Sequence, residues 1–258
     1  MLKRGNINLL AIALLAILAA LNFLFPVPWW VYPIVLVFWF LVSLCGSFFI
    51  RWNYHFTSLH SNKNTSQNQV SLTFDDGPNT EFTPRVLELL KQYNAKATFF
   101  LIGKHAKKYP QLVQDILKQG HSIGNHTYSH TNNFGFLGTS KVVKELQTAN
   151  KVIEKITGFK MKLYRPAFGV TNPSIQEAVQ QLKINSIGWN VRSLDTTHRS
   201  EEAILKRITN KVSKGDIILL HDTSYKTVEV LERLLLFLQV NNLKSVTVEE
   251  LLKIKAYE

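Results

Sequence analysis

Two acids stand side by side in Thr73-Phe74-Asp75-Asp76-Gly77-Pro78. About fifty positions later, two histidines lie four residues apart in Gly124-Asn125-His126-Thr127-Tyr128-Ser129-His130. One carboxylate and two imidazoles make a full ligand set for a divalent ion, and the other carboxylate is spare for proton transfer. The acids close an apolar, alternating run, Val70, Leu72 and Phe74 against Ser71 and Thr73, which predicts a strand end turning at Gly-Pro. Strand neighbours point to opposite sides, so the turn has to steer both acids into one cleft. The histidines are expected on one face of a helical turn, roughly 5–6 Å apart at Cβ, which suits two imidazoles on one ion.

Other chemistry-bearing residues fall at the ends of further strand candidates. From Val70 onward short apolar segments alternate with amphipathic ones, the pattern of an α/β domain with a mainly parallel sheet. The predicted strands are 70–74, 97–102, 162–164, 185–190, 217–220 and a short last piece at 245–248. Arg165-Pro166 follows the third, Asp195 trails the fourth, and His221-Asp222 closes the fifth. In parallel α/β barrels, sites assemble at these C-terminal strand ends. The clearest helix is predicted at 140–157, where Val142, Leu146, Ala149, Ile153 and Ile156 keep the helical period and Gly158 ends it. A second opens at Ser200 before Glu201 and Glu202 and is expected to run to Gly215.

The N-terminal part is of another kind. Residues 1–69 hold no Asp or Glu, and within them 9–25 and 29–50 are two uncharged apolar runs of 17 and 22 residues, parted by Pro26-Val27-Pro28. About twenty apolar residues span a bilayer, so two transmembrane helices are predicted. Trp29, Trp30 and Tyr32 are aromatics of the kind found at a membrane interface. A cleaved leader and buried core helices are the rival readings, and the length and lack of charge of the second run argue against both. Residues 51–68 form a polar linker, read as a tether, before a catalytic domain at 69–258.

The formal charge is +12. Residues 1–69 contribute four bases, Lys3, Arg4, Arg51 and Lys63, and the rest has 26 bases against 18 acids. The bases are dispersed and no aromatic-basic recognition signature accompanies them, which argues against nucleic acid and fits attraction to anionic lipid. The lone Cys45 permits no internal disulfide.

In order and spacing, these motifs resemble the polysaccharide deacetylase family, the nodulation-type chitooligosaccharide deacetylase domain or carbohydrate esterase family four. The resemblance covers about residues 68–250 and rests on five stretches. Thr73 to Pro78 and His126 to His130 are highly specific, and Tyr164-Arg165-Pro166-Ala167-Phe168-Gly169 is moderately so. Trp189 to Asp195 and Ile217 to Asp222 are weak alone. The resemblance implies a distorted (β/α) barrel and a hydrolase of carbon–nitrogen bonds other than peptide bonds, acting on the N-acetyl group of an N-acetylated amino-sugar glycan. It implies that Asp76, His126 and His130 hold a divalent metal, Zn²⁺ first, with Co²⁺, Ni²⁺ and Fe²⁺ also compatible. Asp75 would be the general base, His221 the acid that protonates the departing amine, Arg165 the partner of Asp75, and Asp195 the group that orients His221. The backbone N–H of Phe168 would help stabilise the oxyanion.

Each residue alone has an ordinary structural reading, a turn cap for Asp75 or a surface ion pair for Arg165. It is their joint order that carries the functional one. His105, His121 and His198 have no such context and are read as structural, with His198 near enough to Asp195 to touch a substrate. The chain also departs from the family pattern: Arg192 stands at an acidic position, Thr196 at a tryptophan and Phe168 at the commoner tyrosine. The first two put the substrate in doubt. The resemblance implies a bacterial cytoplasmic membrane and a domain acting outside it. Two spans with Lys3, Arg4 and Arg51 on one side favour the cytoplasmic face instead, which would suit deformylation or deacetylation of a lipid-linked amino sugar. An inactive, membrane-anchored glycan-binding module is the reading from another class. Oligomeric state is not legible.

Overall fold

The computed structural model describes residues 2–258. Two apolar helices, α1 (Arg4–Leu21) and α2 (Val31–Phe48), pack side by side as a hairpin. They begin and end a few residues from the predicted 9–25 and 29–50, because the first helix takes in Arg4 and the proline-containing stretch is left to the connection. The domain follows as β1 (Gln69–Asp75), α3 (Phe82–Gln92), β2 (Ala97–Leu101), α4 (Gly103–Lys108), α5 (Pro110–Lys118) and β3 (Ser122–Asn125). Next come α6 (Thr139–Thr157), β4 (Leu163–Tyr164), α7 (Pro173–Leu182), β5 (Asn185–Ser186) and β6 (Val191–Arg192). The chain ends with α8 (Glu201–Thr209), β7 (Ile217–His221), α9 (Tyr225–Val240), β8 (Lys244–Ser245) and α10 (Val248–Leu252).

The sheet is parallel and curled, in the order β5-β4-β3-β2-β1-β7-β6, with β8 beside the start of β1. All seven residues of β1 are buried, as expected for a central parallel strand covered on both faces. One core lies between the sheet and its helices, built on Leu72, Phe74, Phe99, Ile218 and Leu220. A second fills the concave side, with Phe100, Leu163, Ile187, Trp189, Ile217 and Leu219. Side chains of one strand alternate between the two, which is what a period of two dictates.

Several sequence expectations are corrected. Of the predicted strand 185–190 only β5 (Asn185–Ser186) forms, and β6 follows at Val191–Arg192 on the opposite edge of the sheet, so the barrel is open between them. The strand predicted at 245–248 stops at Ser245, and Thr247 caps α10 by accepting from the Glu250 N–H. α8 ends at Thr209, short of Gly215. β3 was not predicted, since Ser122-Ile123-Gly124-Asn125 has too few apolar residues to register. The end of the stretch expected as a tether is docked. Leu59 bridges Ile187 after β5, and Ser61 bridges Asp216 before β7. The Asn62 side chain donates to the Leu251 carbonyl, and Lys63 pairs with buried Asp216. These residues lie across the seam that the sheet leaves open.

Candidate active site

Parallel pairing sets Asp75 level with His221 on one side and Phe100 on the other, and Phe100 level with Gly124. His126 comes two residues beyond Gly124, and Arg165 directly follows β4. One end of the curled sheet therefore gathers Asp75, Asp76, His126, His130, Arg165 and His221. The two adjacent acids are brought to the same side by Asp76, whose φ of 73° reverses the direction of the chain just as β1 ends. Asp tolerates that left-handed conformation better than most residues. Gly77 then passes so close to buried Asp222 that a Cβ there would lie 2.5 Å from a carboxylate oxygen.

His126 and His130 are not on a helical turn. They lie on an irregular loop after β3, with φ of 67° at Thr127 and 49° at His130. Side chains satisfy this loop where a helix would use its own backbone: the Asn125 Oδ1 accepts from the Thr127 N–H at 2.7 Å, and the Thr127 Oγ1 accepts from the His130 N–H at 3.0 Å. Glu145 accepts from the Tyr128 and Ser129 N–H groups. Short polar side chains of this kind compete with helix formation. The two imidazoles nevertheless meet, with ring centroids 4.8 Å apart.

The donor set fits a divalent ion. Asp76 Oδ1 lies 3.4 Å from Nε2 of both His126 and His130, and it is buried with no hydrogen-bond partner. A buried carboxylate oxygen left without a partner is costly unless a cation completes it. The His126 Nδ1–H donates to the Arg165 carbonyl at 3.0 Å, which leaves Nε2 as the lone pair facing the centre. His105 Nδ1–H likewise donates to the Asp76 carbonyl at 2.9 Å, a contact that sequence reasoning left unassigned. Burial alone would raise the Asp76 pKa. The neighbouring imidazoles of His126, His221 and His130 outweigh it and hold the carboxyl well below the usual range.

Arg165 is fully buried and makes four bonds. Its Nη1 donates to Asp75 Oδ1 at 2.8 Å and Thr73 Oγ1 at 2.7 Å, Nη2 to the Gly188 carbonyl and Nε to the Ile187 carbonyl. The guanidinium lies 4.1 Å from the Phe100 ring centroid and 5.6 Å from that of Trp189. Planarity, delocalisation and weak hydration suit Arg to such a slot where Lys would not serve. Asp75 Oδ1 is thereby occupied, and Oδ2 lies 3.9 Å from His126 Nε2.

His221 faces the same centre. Its Nδ1 is 2.8 Å from Asp195 Oδ1, and its backbone N–H donates to Asp195 Oδ2. Ser193 and Thr227 hydroxyls donate to the same carboxylate. Burial pulls the imidazole pKa down, but the Asp195 hydrogen bond and charge, with Asp75 and Asp76 beyond, raise it to about 9. The Phe168 ring lies over His130 at 4.5 Å, half-exposed, on a backbone with φ of 58°. Arg192 is exposed with its guanidinium 5.9 Å from the Trp189 ring, and Thr196 and His198 lie on an exposed turn. His121 is structural and accepts from the Ala97 N–H.

Asp222 directly follows His221 at the end of β7, and its sequence context alone assigns it no role. It is fully buried, takes the Thr83 hydroxyl, and is pushed up to about 7 by burial, then by the Asp76 charge, against the opposing hydrogen bonds and His221. Thr83 in turn accepts from the Asn79 N–H, so Asp222 braces the turn that carries Asp76. An acid directly after a strand-end histidine was the available signal.

A family model for polysaccharide deacetylase matches residues 62–187. A peptidoglycan-N-acetylglucosamine deacetylase of Bacillus cereus is 36% identical over 156 residues, 60% of this chain and 56% of the relative. A second protein of that name from Bacillus cereus is 35% identical over 194 residues, 72% of this chain and 89% of the relative. The chain thus spans little more than half of the first and most of the second. The solved structure of the Bacillus subtilis peptidoglycan deacetylase PdaC superimposes with a TM-score of 0.69 and 32% identity, covering 73% of this chain and 91% of that one. The strand ends that gather the two acids, the two histidines and the buried arginine lie within the residues the family model matches, and the chain belongs to the polysaccharide deacetylase family.

Proposed function

We propose that this chain is a membrane-anchored, divalent-metal-dependent N-deacetylase of an N-acetylated amino-sugar glycan. The observation that carries the reading is Asp76 Oδ1, buried, without a partner and equidistant from two imidazole nitrogens, with Asp75 on one flank and His221 on the other. An ion held by Asp76, His126 and His130, Zn²⁺ first among those the donors suit, would supply positive charge to polarise the amide carbonyl and make an attacking water more acidic. Asp75, clamped through Oδ1 by Arg165, takes the proton of that water with Oδ2. The water oxygen adds to the amide carbon. The Phe168 N–H donates to the oxygen that becomes negative. His221, charged and oriented by Asp195, gives its proton to the sugar nitrogen as the C–N bond breaks, releasing acetate and a free amine. Relatives named for peptidoglycan N-acetylglucosamine support an N-acetylated sugar as substrate.

Membrane anchoring is supported by the hairpin. Each helix is 18 residues long and apolar, and its side chains lie almost wholly outside the protein core. A glycan-binding module without activity has no use for the Asp75–Arg165 and His221–Asp195 pairs, each built with buried hydrogen bonds. The test is acetate release by the full chain, purified in detergent and loaded with Zn²⁺, from N-acetylglucosamine oligomers and from a lipid-linked N-acetylated sugar. Release that stops with chelator and returns with metal is expected. No release from either substrate overturns the enzyme reading.

A further inference from the structure

We infer that the α1–α2 hairpin is a rigid seat that holds the mouth of the candidate site against the bilayer surface, and that the amino sugar deacylated there is carried on a membrane lipid. The inference rests on the proposed deacetylase and membrane readings. It begins with the last turn of α2. The Ser47 carbonyl accepts from the Thr171 N–H at 2.9 Å, and Gly46 is packed against Tyr54. Ile50, two residues beyond the helix, is buried in the concave core with Ile187, Trp189 and Phe100, the layer on which Arg165 rests. Arg51 reaches the Asn190 carbonyl, and the seam residues Leu59 to Lys63 are bonded as described. No free linker remains between hairpin and site.

The distances place the site. Eighteen residues of helix rise about 27 Å, close to the roughly 30 Å hydrocarbon thickness, so Ser47 stands at one edge of the apolar layer. Thr171 is three residues from Phe168, at most about 10 Å of chain, and the headgroup layer beyond that edge is itself about 5–8 Å deep. Phe168 covers His130. The mouth therefore opens at headgroup level.

The surface around this junction is of the matching kind. Phe49 and Trp52 are exposed beside each other just after α2. Phe136 is 91% exposed, on a short helical turn tied back by the Asn172 side chain to the Gly135 carbonyl, next to Thr171. Exposed aromatics beside an apolar hairpin are what an interface selects. Lys3 and Arg4 line a cavity of about 500 Å³ at the same junction, with Gln176 from α7. The phosphate linking a sugar to a lipid is anionic, so the charge is complementary. A sugar confined to the same bilayer meets such a mouth at a high effective concentration, which a soluble polymer does not.

The test uses the full chain in vesicles of phosphatidylethanolamine and phosphatidylglycerol containing headgroup-level nitroxide lipids. In a Cys45→Ser background, a fluorophore on Phe136→Cys is expected to be quenched more strongly than one on Val240→Cys, at the exposed end of α9, which packs against α3 and α8. Equal quenching overturns the seating. In the same vesicles with Zn²⁺, polyprenyl-diphosphate-linked N-acetylglucosamine is expected to be deacetylated about tenfold or more faster than soluble chitooligosaccharide at matched bulk concentration. An equal or reversed ratio overturns the substrate assignment and leaves the deacetylase reading standing. Turnover of neither substrate removes both.

Discussion

Asp75 and Asp76 are neighbours that meet entirely different surroundings. Asp75 has one oxygen taken by a buried guanidinium, and Asp76 has one oxygen that nothing in the protein takes. That difference separates the proposed base from the proposed ligand, and it can be measured. Asp75→Asn keeps shape and removes the basic oxygen, so kcat should fall by about 10²–10⁴-fold while bound metal stays at the wild-type level. Loss of metal along with activity would contradict the division of labour. The pH dependence tests the other flank. His221 donates only when protonated, and its surroundings hold it up to about 9, so the alkaline limb of kcat/KM is expected near that pH. Asp195→Asn removes the charge that favours the imidazolium while still offering an acceptor to the His221 N–H. The limb should then move toward neutral pH, and a limb that does not move would count against His221 as the acid.

At the scale of elements, the strands were legible as short apolar segments, continuous in β7 and alternating with small polar residues in β1. The loops that turn the site inward were not. Asp76, Thr127, His130 and Phe168 are four of the ten non-glycine residues with positive φ among the described residues, and no periodicity encodes such reversals. The i, i+4 spacing of His126 and His130 thus pointed to the right pair through the wrong element. Arg165 could be paired with Asp75 only through the family resemblance, because the 90 residues between them are closed by sheet order. The stack beneath Arg165 has its own requirement. A Cβ on Gly124 would come within 2.6 Å of the Phe100 ring, so Gly124→Ala should lower stability by about 1–3 kcal/mol through overpacking, read from the thermal midpoint. Arg165→Met leaves the buried Asp75 carboxylate without its guanidinium partner, a loss of about 3–5 kcal/mol. A midpoint unchanged in either variant would show that the Phe100 layer is looser than drawn.

At the scale of the whole molecule, hairpin and domain are one body joined through Ile50 and the seam. Ile50→Ala, a change in the residues nominally belonging to the anchor, should destabilise the domain by about 2–5 kcal/mol. Denaturant unfolding of the full chain in detergent, followed through Trp189 and its neighbours, checks this. A domain indifferent to Ile50 would mean that the hairpin hangs free. The same junction was illegible in sequence, because Ser61 to Gln69 is polar throughout and polarity does not separate a docked segment from a loose one.

The seam also orders events in time. Ser58 bonds Ser186, 128 residues later in the chain, and Lys63 pairs with Asp216, 153 residues later. Such long loop closures are slow steps, paid in chain entropy before any contact rewards them. The stretch that follows the hairpin must wait for its partners until most of the domain has been made. The contacts that bridge the open seam are thus among the last that chain order allows to form, and a chain lacking residues 58–63 would lose them.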